Sequence, residues 1–336
     1  MLTPDQETML ELAITDALFR IKREYERTNG RIFLAFSGGK DSTVLAHLIK
    51  MAGLPEDIPF VFANTGIELE ATLRFVVEFD YPNIQVVKPR KPFAQILKEY
   101  GKPAVSKLKS SSFSTYQKHL DEPLKTARAR QLITGVREKN GQPIPGLNSY
   151  RLSNKLMHLV HPDLEFKISS NCCNYLKKYP VADYLKDHQM RGYFNGMRVA
   201  EGGARSLSLT SCVRIERKRG EEFYFSSPIF DWSNEIVELF IKKYKIKLSD
   251  AYEKYGMDRT GCMGCPYGKY VKQELKILHD YEPNKYKAIM FWLKDVYMNQ
   301  LVECEWDEAY MKEYREFEPI REQRRQEMME KFRPKN

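Results

Sequence analysis

Apolar residues recur at helical spacing between residues 5 and 28, at Met9, Leu10, Leu12, Ala13, Ala17, Leu18 and Ile21, which predicts an amphipathic helix ending at Asn29-Gly30. The pattern then changes. Ile32-Phe33-Leu34-Ala35-Phe36 is apolar at every position, as in a strand buried on both faces of a parallel sheet. A helix is predicted over Thr43–Ile49, a strand at Phe60–Phe62, a helix near Leu69–Phe79, a strand at Ile84–Val87 and a helix near Phe93–Tyr100. Strands alternating with helices imply βαβ units with right-handed crossovers. Further along, Tyr193–Met197 reads as a strand, Ser227–Trp232 as a short strand or turn, and Asn234–Tyr244 as a helix. From about Gln273 the chain reads as helices. The expected fold is α/β, a doubly wound, mainly parallel sheet over 1–270 with a basic insertion near 101–150, followed by a helical C-terminal region over 271–336.

Composition narrows the class. The 336 residues suit one large or two modest domains, and the 42% hydrophobic and 29% charged fractions are those of an ordinary globular chain. No apolar run approaches the ~20 residues that span a bilayer, so a membrane protein is excluded. The first thirty residues lack the basic and apolar regions of a secretion signal, and a cytoplasmic location is expected. The formal charge of +9 suits polyanionic partners. Between Lys98 and Arg130 eight basic residues meet three acidic ones, and a second basic cluster runs from Arg214 to Arg219. Either could follow a nucleic-acid backbone or be a solvated surface.

Ser37-Gly38-Gly39-Lys40-Asp41-Ser42 stands between a predicted strand and a predicted helix. Glycines allow a tight turn and a close approach to phosphate, and N–H groups at a helix start point at an anion. Lys40 adds a point charge, and the hydroxyls of Ser37 and Ser42 can donate. Asp41 repels a bare phosphate, so it holds Mg²⁺ or caps the helix. The Walker pattern is absent, because Asp41 stands where Ser or Thr is required.

This loop resembles the PP-loop of the adenine-nucleotide α-hydrolase superfamily, which includes ATP pyrophosphatases and the adenylylsulfate and phosphoadenylylsulfate (PAPS) reductases. Three stretches resemble the PAPS reductase branch: Asn64-Thr65-Gly66 onward to Thr72, Tyr193-Phe194-Asn195-Gly196-Met197-Arg198 through Arg205, and Ser227-Pro228-Ile229-Phe230-Asp231-Trp232-Ser233. The resemblance covers roughly residues 30–270. It implies an adenine nucleotide, ATP or PAPS/adenylylsulfate, held by Ser37, Gly38, Gly39, Lys40, Ser42, Asn64, Thr65, Gly66 and Gly196. Lys40, Asp41, Arg198 and Arg205 are the candidate catalytic residues, the two arginines being able to pair with phosphate or sulfate oxygens in a bidentate manner.

Of six cysteines, four form two pairs, Cys172-Cys173 and Cys262-Met263-Gly264-Cys265. Four thiolates suit zinc or an iron–sulfur cluster, although adjacent cysteines are awkward around one tetrahedral ion. Within the branch, a Cys-Cys pair followed by this spaced pair resembles the [4Fe–4S] signature of adenylylsulfate reductases. Zinc and metal-free thiols remain alternatives.

The chain departs from the reductases in one respect. They carry a catalytic cysteine near the C-terminus in a segment with Gly and His, whereas here the last cysteine lies in Glu303-Cys304-Glu305-Trp306. Flanking carboxylates raise a thiol pKa and make a poor nucleophile. Relatives without that thiol include the ATP pyrophosphatases of DNA phosphorothioation. The resemblance therefore implies an iron–sulfur ATP pyrophosphatase that adenylates a nucleic acid, DNA in the first place, for sulfur insertion. The implied partners are a sulfur-donor protein such as a cysteine desulfurase and a second copy of the chain in a homodimer. The alternatives are an adenylylsulfate or PAPS reductase using another thiol such as Cys212, and a non-enzymatic nucleotide-binding regulator.

Overall fold

Strand residues that are apolar without alternation need cover on both sides, and they have it here. The structure is a computed structural model that describes residues 2–55, 58–139, 142–144, 150–202, 209–218 and 220–333. Those residues hold the strands β1 (Ile32–Ala35), β2 (Phe60–Ala63), β3 (Ile84–Val87), β4 (Arg137–Lys139), β5 (Gln142–Ile144), β6 (Gly192–Phe194), β7 (Val213–Lys218) and β8 (Glu221–Ser226). Six make one sheet in the order β3-β2-β1-β6-β8-β7, and β4 and β5 pair as a separate hairpin. Every neighbour in the large sheet is parallel except β7 and β8. This is the expected mainly parallel α/β sheet with surrounding helices and a helical C-terminal region. No helix among the described residues is long and apolar enough to cross a membrane.

The chain forms two compact units, each discontinuous in sequence. The first comprises Met1–Arg90 and Leu176–Gly261, and the second Lys91–Tyr175 and Cys262–Asn336.

The first unit contains the large sheet. Ile32, Leu34, Phe60 and Phe62 point to one face, where Leu10 and Ile21 of the helix Pro4–Arg27, Leu45 and Leu48 of the helix Lys40–Met51, and Val237 and Phe240 of the helix Asn234–Lys243 cover them. Phe33 and Val61 point to the other face, against Tyr184 of the helix Tyr179–Asp187. The period of two along each strand thus sends alternate residues into different apolar layers. The helix Pro4–Arg27 starts with a capping box. Thr3 Oγ1 accepts from the Gln6 N–H at 3.3 Å, and Gln6 Oε1 accepts from the Thr3 N–H at 3.2 Å. It ends where Asn29 and Gly30 take φ of 51° and 73°.

Winding starts at β1 and moves out through β2 to β3, then returns to the other side of β1 with β6. The carboxyl ends of β1 and β6 therefore flank the switch point where open α/β sheets form a ligand crevice. Two local readings change. The strand read as Tyr193–Met197 stops at Phe194, because the Asn195 side chain donates from Nδ2 to the Ser226 carbonyl at 3.1 Å and turns the chain out. The basic run after Cys212 is the edge strand β7, whose charged residues hid its alternation, and Ser227–Trp232 is a turn.

The second unit is mainly helical. Its C-terminal helix Glu308–Lys331 packs on the 3₁₀ segment Asn154–Val160 and, through its Arg321, on the end of the helix Pro283–Asn299. Two side chains close that end. Arg321 Nη1 donates to the Met298 carbonyl at 2.8 Å, and the buried His158 donates from Nε2 to the Asn299 carbonyl at 2.8 Å. His158 Nδ1 is buried with no partner. Burial, reinforced by Arg321 and Arg325, lowers the His158 pKa to about 4 against the Asn299 bond that favours the charge. The folded pKa lies below the unfolded value of 6.5, so the unfolded chain takes up a proton first as the pH falls. Stability is complete above pH 6.5 and declines toward pH 4, by about 3 kcal/mol from this group. His158→Gln keeps an N–H donor without the titration. In urea melts at pH 7 and pH 4, it is expected to lose about 3 kcal/mol less than the parent chain.

Candidate functional site

The loop after β1 is held by its own hydroxyls. Ser42 Oγ donates to the Gly39 carbonyl at 2.9 Å and accepts from the Ser37 N–H at 3.2 Å. With that proton committed, the Ser37 hydroxyl is the donor in the 2.9 Å contact between the two serines, and it accepts from the Gly39 N–H at 3.3 Å. Gly38 has φ of 67°, and a Cβ on it would stand 2.7 Å from Val76 Cγ2. Gly39 is the N-cap of the helix Lys40–Met51 and supplies no side-chain cap. The helix start therefore has no side-chain cap of its own, the arrangement that can take an anion.

Asp41 does not cap that helix. Its Oδ1 accepts from Arg198 Nε at 2.9 Å, while Arg198 Nη1 donates to the Trp232 carbonyl and Nη2 to Asn234 Oδ1, both at 3.0 Å. Arg198 is 1% exposed. Its guanidinium positions Asp41, and all three of its nitrogens are engaged by groups of the chain itself. Burial lifts the Asp41 carboxyl above its ordinary range, against the pull of Arg198 and Lys40. Gly196 allows the close approach, since a Cβ there would meet the Asp41 carbonyl carbon and the Ser42 nitrogen at 2.9 Å. The second arginine of the motif, Arg205, lies outside the described residues, as does Arg219.

At the end of β2, Asn64 Oδ1 accepts from the Gly66 N–H at 2.9 Å, and Gly66 has φ of 81°. Thr65 donates its hydroxyl to Glu68 Oε1 at 2.6 Å and its N–H to Glu68 Oε2 at 3.0 Å. Glu68 is the buried brace of this turn, and no role had been read for it. Sequence reasoning also missed the segment 250–261, which carries no recognisable motif. Tyr252 OH accepts from the Lys40 N–H at 3.1 Å, Thr260 Oγ1 lies 3.3 Å from Tyr252 OH, and Lys40 Nζ donates to the Asp258 carbonyl at 3.3 Å.

The four paired cysteines all belong to the second unit. Cys172 and Cys173 end the short helix Asn171–Cys173, and Cys262 and Cys265 bracket a turn in which Gly264 has φ of 61°. A Cβ on Gly264 would stand 2.8 Å from both Ile289 Cγ2 and the Tyr297 hydroxyl. Tyr297 OH donates to the Gly264 carbonyl, and Tyr267 OH to the Ser169 carbonyl at 3.2 Å, tying the two cysteine segments to their surroundings. The Cys172 thiol is pushed far up by its hydrogen bond with Cys173, by burial, and by charge at Cys173, Cys265 and Cys262. Burial, then Cys262 and Cys173, push Cys265 up to about 12. Among the described residues, no three His, Cys, Asp or Glu side chains form a group that could hold a metal ion.

Cys304 is fully buried, and burial with Asp307 and Glu305 pushes its thiol up to about 12. Cys212 is half-buried, with Arg23 Nη2 3.6 Å from its sulfur. Some members of the basic runs are paired within the chain: Lys102 with Asp295 at 2.6 Å, Arg130 with Glu138 at 2.5 Å, Arg217 with Glu222 at 2.9 Å, and Lys218 with Glu216 at 2.7 Å.

The sequence model of the phosphoadenosine phosphosulfate reductase domain matches residues 31–157 and 147–267. An uncharacterized protein of Methanocaldococcus jannaschii is 27% identical over 254 residues, 75% of this chain and 39% of that protein. The chain therefore spans about two fifths of that relative's length. A phosphate complex of the PAPS reductase from Candida auris is 12% identical with a TM-score of 0.42, over 78% of this chain and 96% of that one.

Proposed function

This chain belongs to the phosphoadenosine phosphosulfate reductase domain family, and from that premise we propose that it is an ATP pyrophosphatase that adenylates a nucleic acid for sulfur insertion. One observation supports the choice over a reductase: the thiol of Cys304 is fully buried and, with Asp307 and Glu305 beside it, is pushed up to about 12. In such a reaction an acceptor oxygen attacks the α-phosphorus of ATP, and pyrophosphate leaves with the bonding electrons. Sulfur then displaces AMP. Lys40 and the N–H groups at the helix start would stabilise charge on the departing pyrophosphate. Mg²⁺ would neutralise further charge there. Asp41 fits as its holder, because it engages Arg198 through one oxygen and keeps 18% of its side chain exposed.

Cys172, Cys173, Cys262 and Cys265 would hold a [4Fe–4S] cluster, which supplies a structural tie or a site for the transferring sulfur. What supports this is that both cysteine pairs lie in one unit, although among the described residues the four thiols do not converge into a metal-holding group. A sulfur-donor protein, a cytoplasmic location and a homodimer belong to the same reading. A reductase using Cys212 is the second reading, favoured by the guanidinium of Arg23 at its sulfur.

The deciding assay measures pyrophosphate release from ATP, with and without DNA, beside sulfite release from PAPS. Pyrophosphate without sulfite is expected, and sulfite alone overturns the proposal. Lys40→Ala is expected to weaken ATP binding at least about tenfold, the scale of a charged hydrogen bond. Unchanged affinity in a folded variant would refute the loop assignment.

A further inference from the structure

The phosphate loop's best anion donors are already occupied by the chain itself. The Lys40 N–H, first in its helix, points at Tyr252 OH at 3.1 Å. The Lys40 ammonium rests on the Asp258 carbonyl at 3.3 Å. Thr260 Oγ1 lies 3.3 Å from Tyr252 OH, and a Cβ on Gly39 would stand 2.9 Å from that same Thr260 oxygen. Gly39 thus has a second reason to be glycine: its φ is an ordinary −84°, and the missing side chain is the seat of Thr260.

The contacting segment joins buried anchors to an exposed tip. Ala251 and Met257 are buried and anchor it, with the Met257 N–H on the Ala251 carbonyl at 2.9 Å. Asp258 and Arg259 are exposed. Gly256, at φ of 67°, and Gly261 flank the stretch, and a Cβ on either would meet nothing within 4 Å. A phenol and a peptide carbonyl are neutral acceptors. A phosphate oxygen forms the stronger, charge-assisted bond to the same donors.

We propose that residues 252–260 are a latch on the phosphate loop, in which Tyr252 and the Asp258 carbonyl stand where phosphate oxygens bind and must be displaced by the incoming polyphosphate. Burial keeps the Tyr252 hydroxyl protonated, against its bonds to Thr260 and the Lys40 N–H, so it yields to an anion as a neutral group. The latch holds the loop in shape without substrate and sets a threshold for binding. It rests on the nucleotide reading of the loop, but its contact can be tested without a nucleotide.

Two measurements test it on the full chain, with Tyr252→Phe and, should that variant fold poorly, Thr260→Val. Hydrogen exchange at the Lys40 amide, without ligand, is expected to be at least about tenfold faster in Tyr252→Phe, because its acceptor is gone. Equal exchange overturns the latch. Binding of inorganic pyrophosphate and of ATP is expected to be about fivefold tighter in Tyr252→Phe, the scale of one neutral hydrogen bond no longer broken. Thr260→Val, which frees the phenol to turn away, is expected to shift both readouts the same way but less. Unchanged or weaker pyrophosphate binding overturns the latch. If ATP fails to bind the parent chain while the exchange difference and the pyrophosphate gain both appear, the nucleotide reading falls and the latch stands.

Discussion

Arg198→Met is expected to destabilise the first unit by about 3–5 kcal/mol, the cost of removing one partner from a buried ion pair. The size follows from how many groups lose a partner together. Asp41 Oδ1, the Trp232 carbonyl and Asn234 Oδ1 each accept from a different nitrogen of this guanidinium, and none of the three donors is replaced by a thioether. Arg198→Lys keeps the charge but carries one nitrogen, so it can serve one of three separated acceptors and should recover only part of the loss. The decisive comparison is the double variant Arg198→Met, Asp41→Asn. It neutralises the stranded carboxylate and is expected to be more stable than Arg198→Met alone. Urea melts with a core tryptophan signal report the change, since Trp232 is 2% exposed and lies on the same network. A single variant within about 1 kcal/mol of the parent chain would show that Arg198 does not hold Asp41.

This arginine also marks the limit of what the residues reveal before folding. Its place in a motif made it a candidate anion partner. Whether its fork faces a ligand or a neighbouring carboxylate depends on Asp41, Trp232 and Asn234, which are far away in sequence. The strands β1 and β2 were legible because burial on both faces leaves a local trace, an unbroken apolar run. β7 was not, since an edge strand with Arg214, Glu216 and Lys218 along it has the composition of a loop. The phosphate loop was legible because Gly, Lys and Ser are consecutive there. Tyr252 and Thr260 act on it through two hydroxyls, and Glu68 braces the turn after β2 through its carboxylate, none with a neighbouring signal. Cys304 was read as a poor nucleophile from its flanking carboxylates, Glu303 and Glu305, whereas burial is the largest cause that pushes its thiol up, followed by Asp307 and Glu305.

Replacing any one of Cys172, Cys173, Cys262 or Cys265 by Ser is expected to remove most of the iron from anaerobically purified protein. The parent chain should be brown and carry about four irons, as Cys₄ ligation of one cubane requires. A cluster bonded at four corners needs all four thiolates, and serine is a poor substitute for a soft ligand. Metal occupancy is coupled to folding where ligands come from separate segments. Here the helix Asn171–Cys173 and the turn at Gly264 are joined to different parts of the second unit, so melting of that unit should broaden and fall in each variant. Cys212→Ser and Cys304→Ser are the controls. Cys304 is fully buried with its thiol pushed up to about 12, and Cys212 belongs to the first unit, so both variants should keep their iron and colour. Colourless protein with stoichiometric zinc would replace the cluster by a single-ion site. Loss of iron in Cys304→Ser with retention in Cys172→Ser would overturn the ligand set itself.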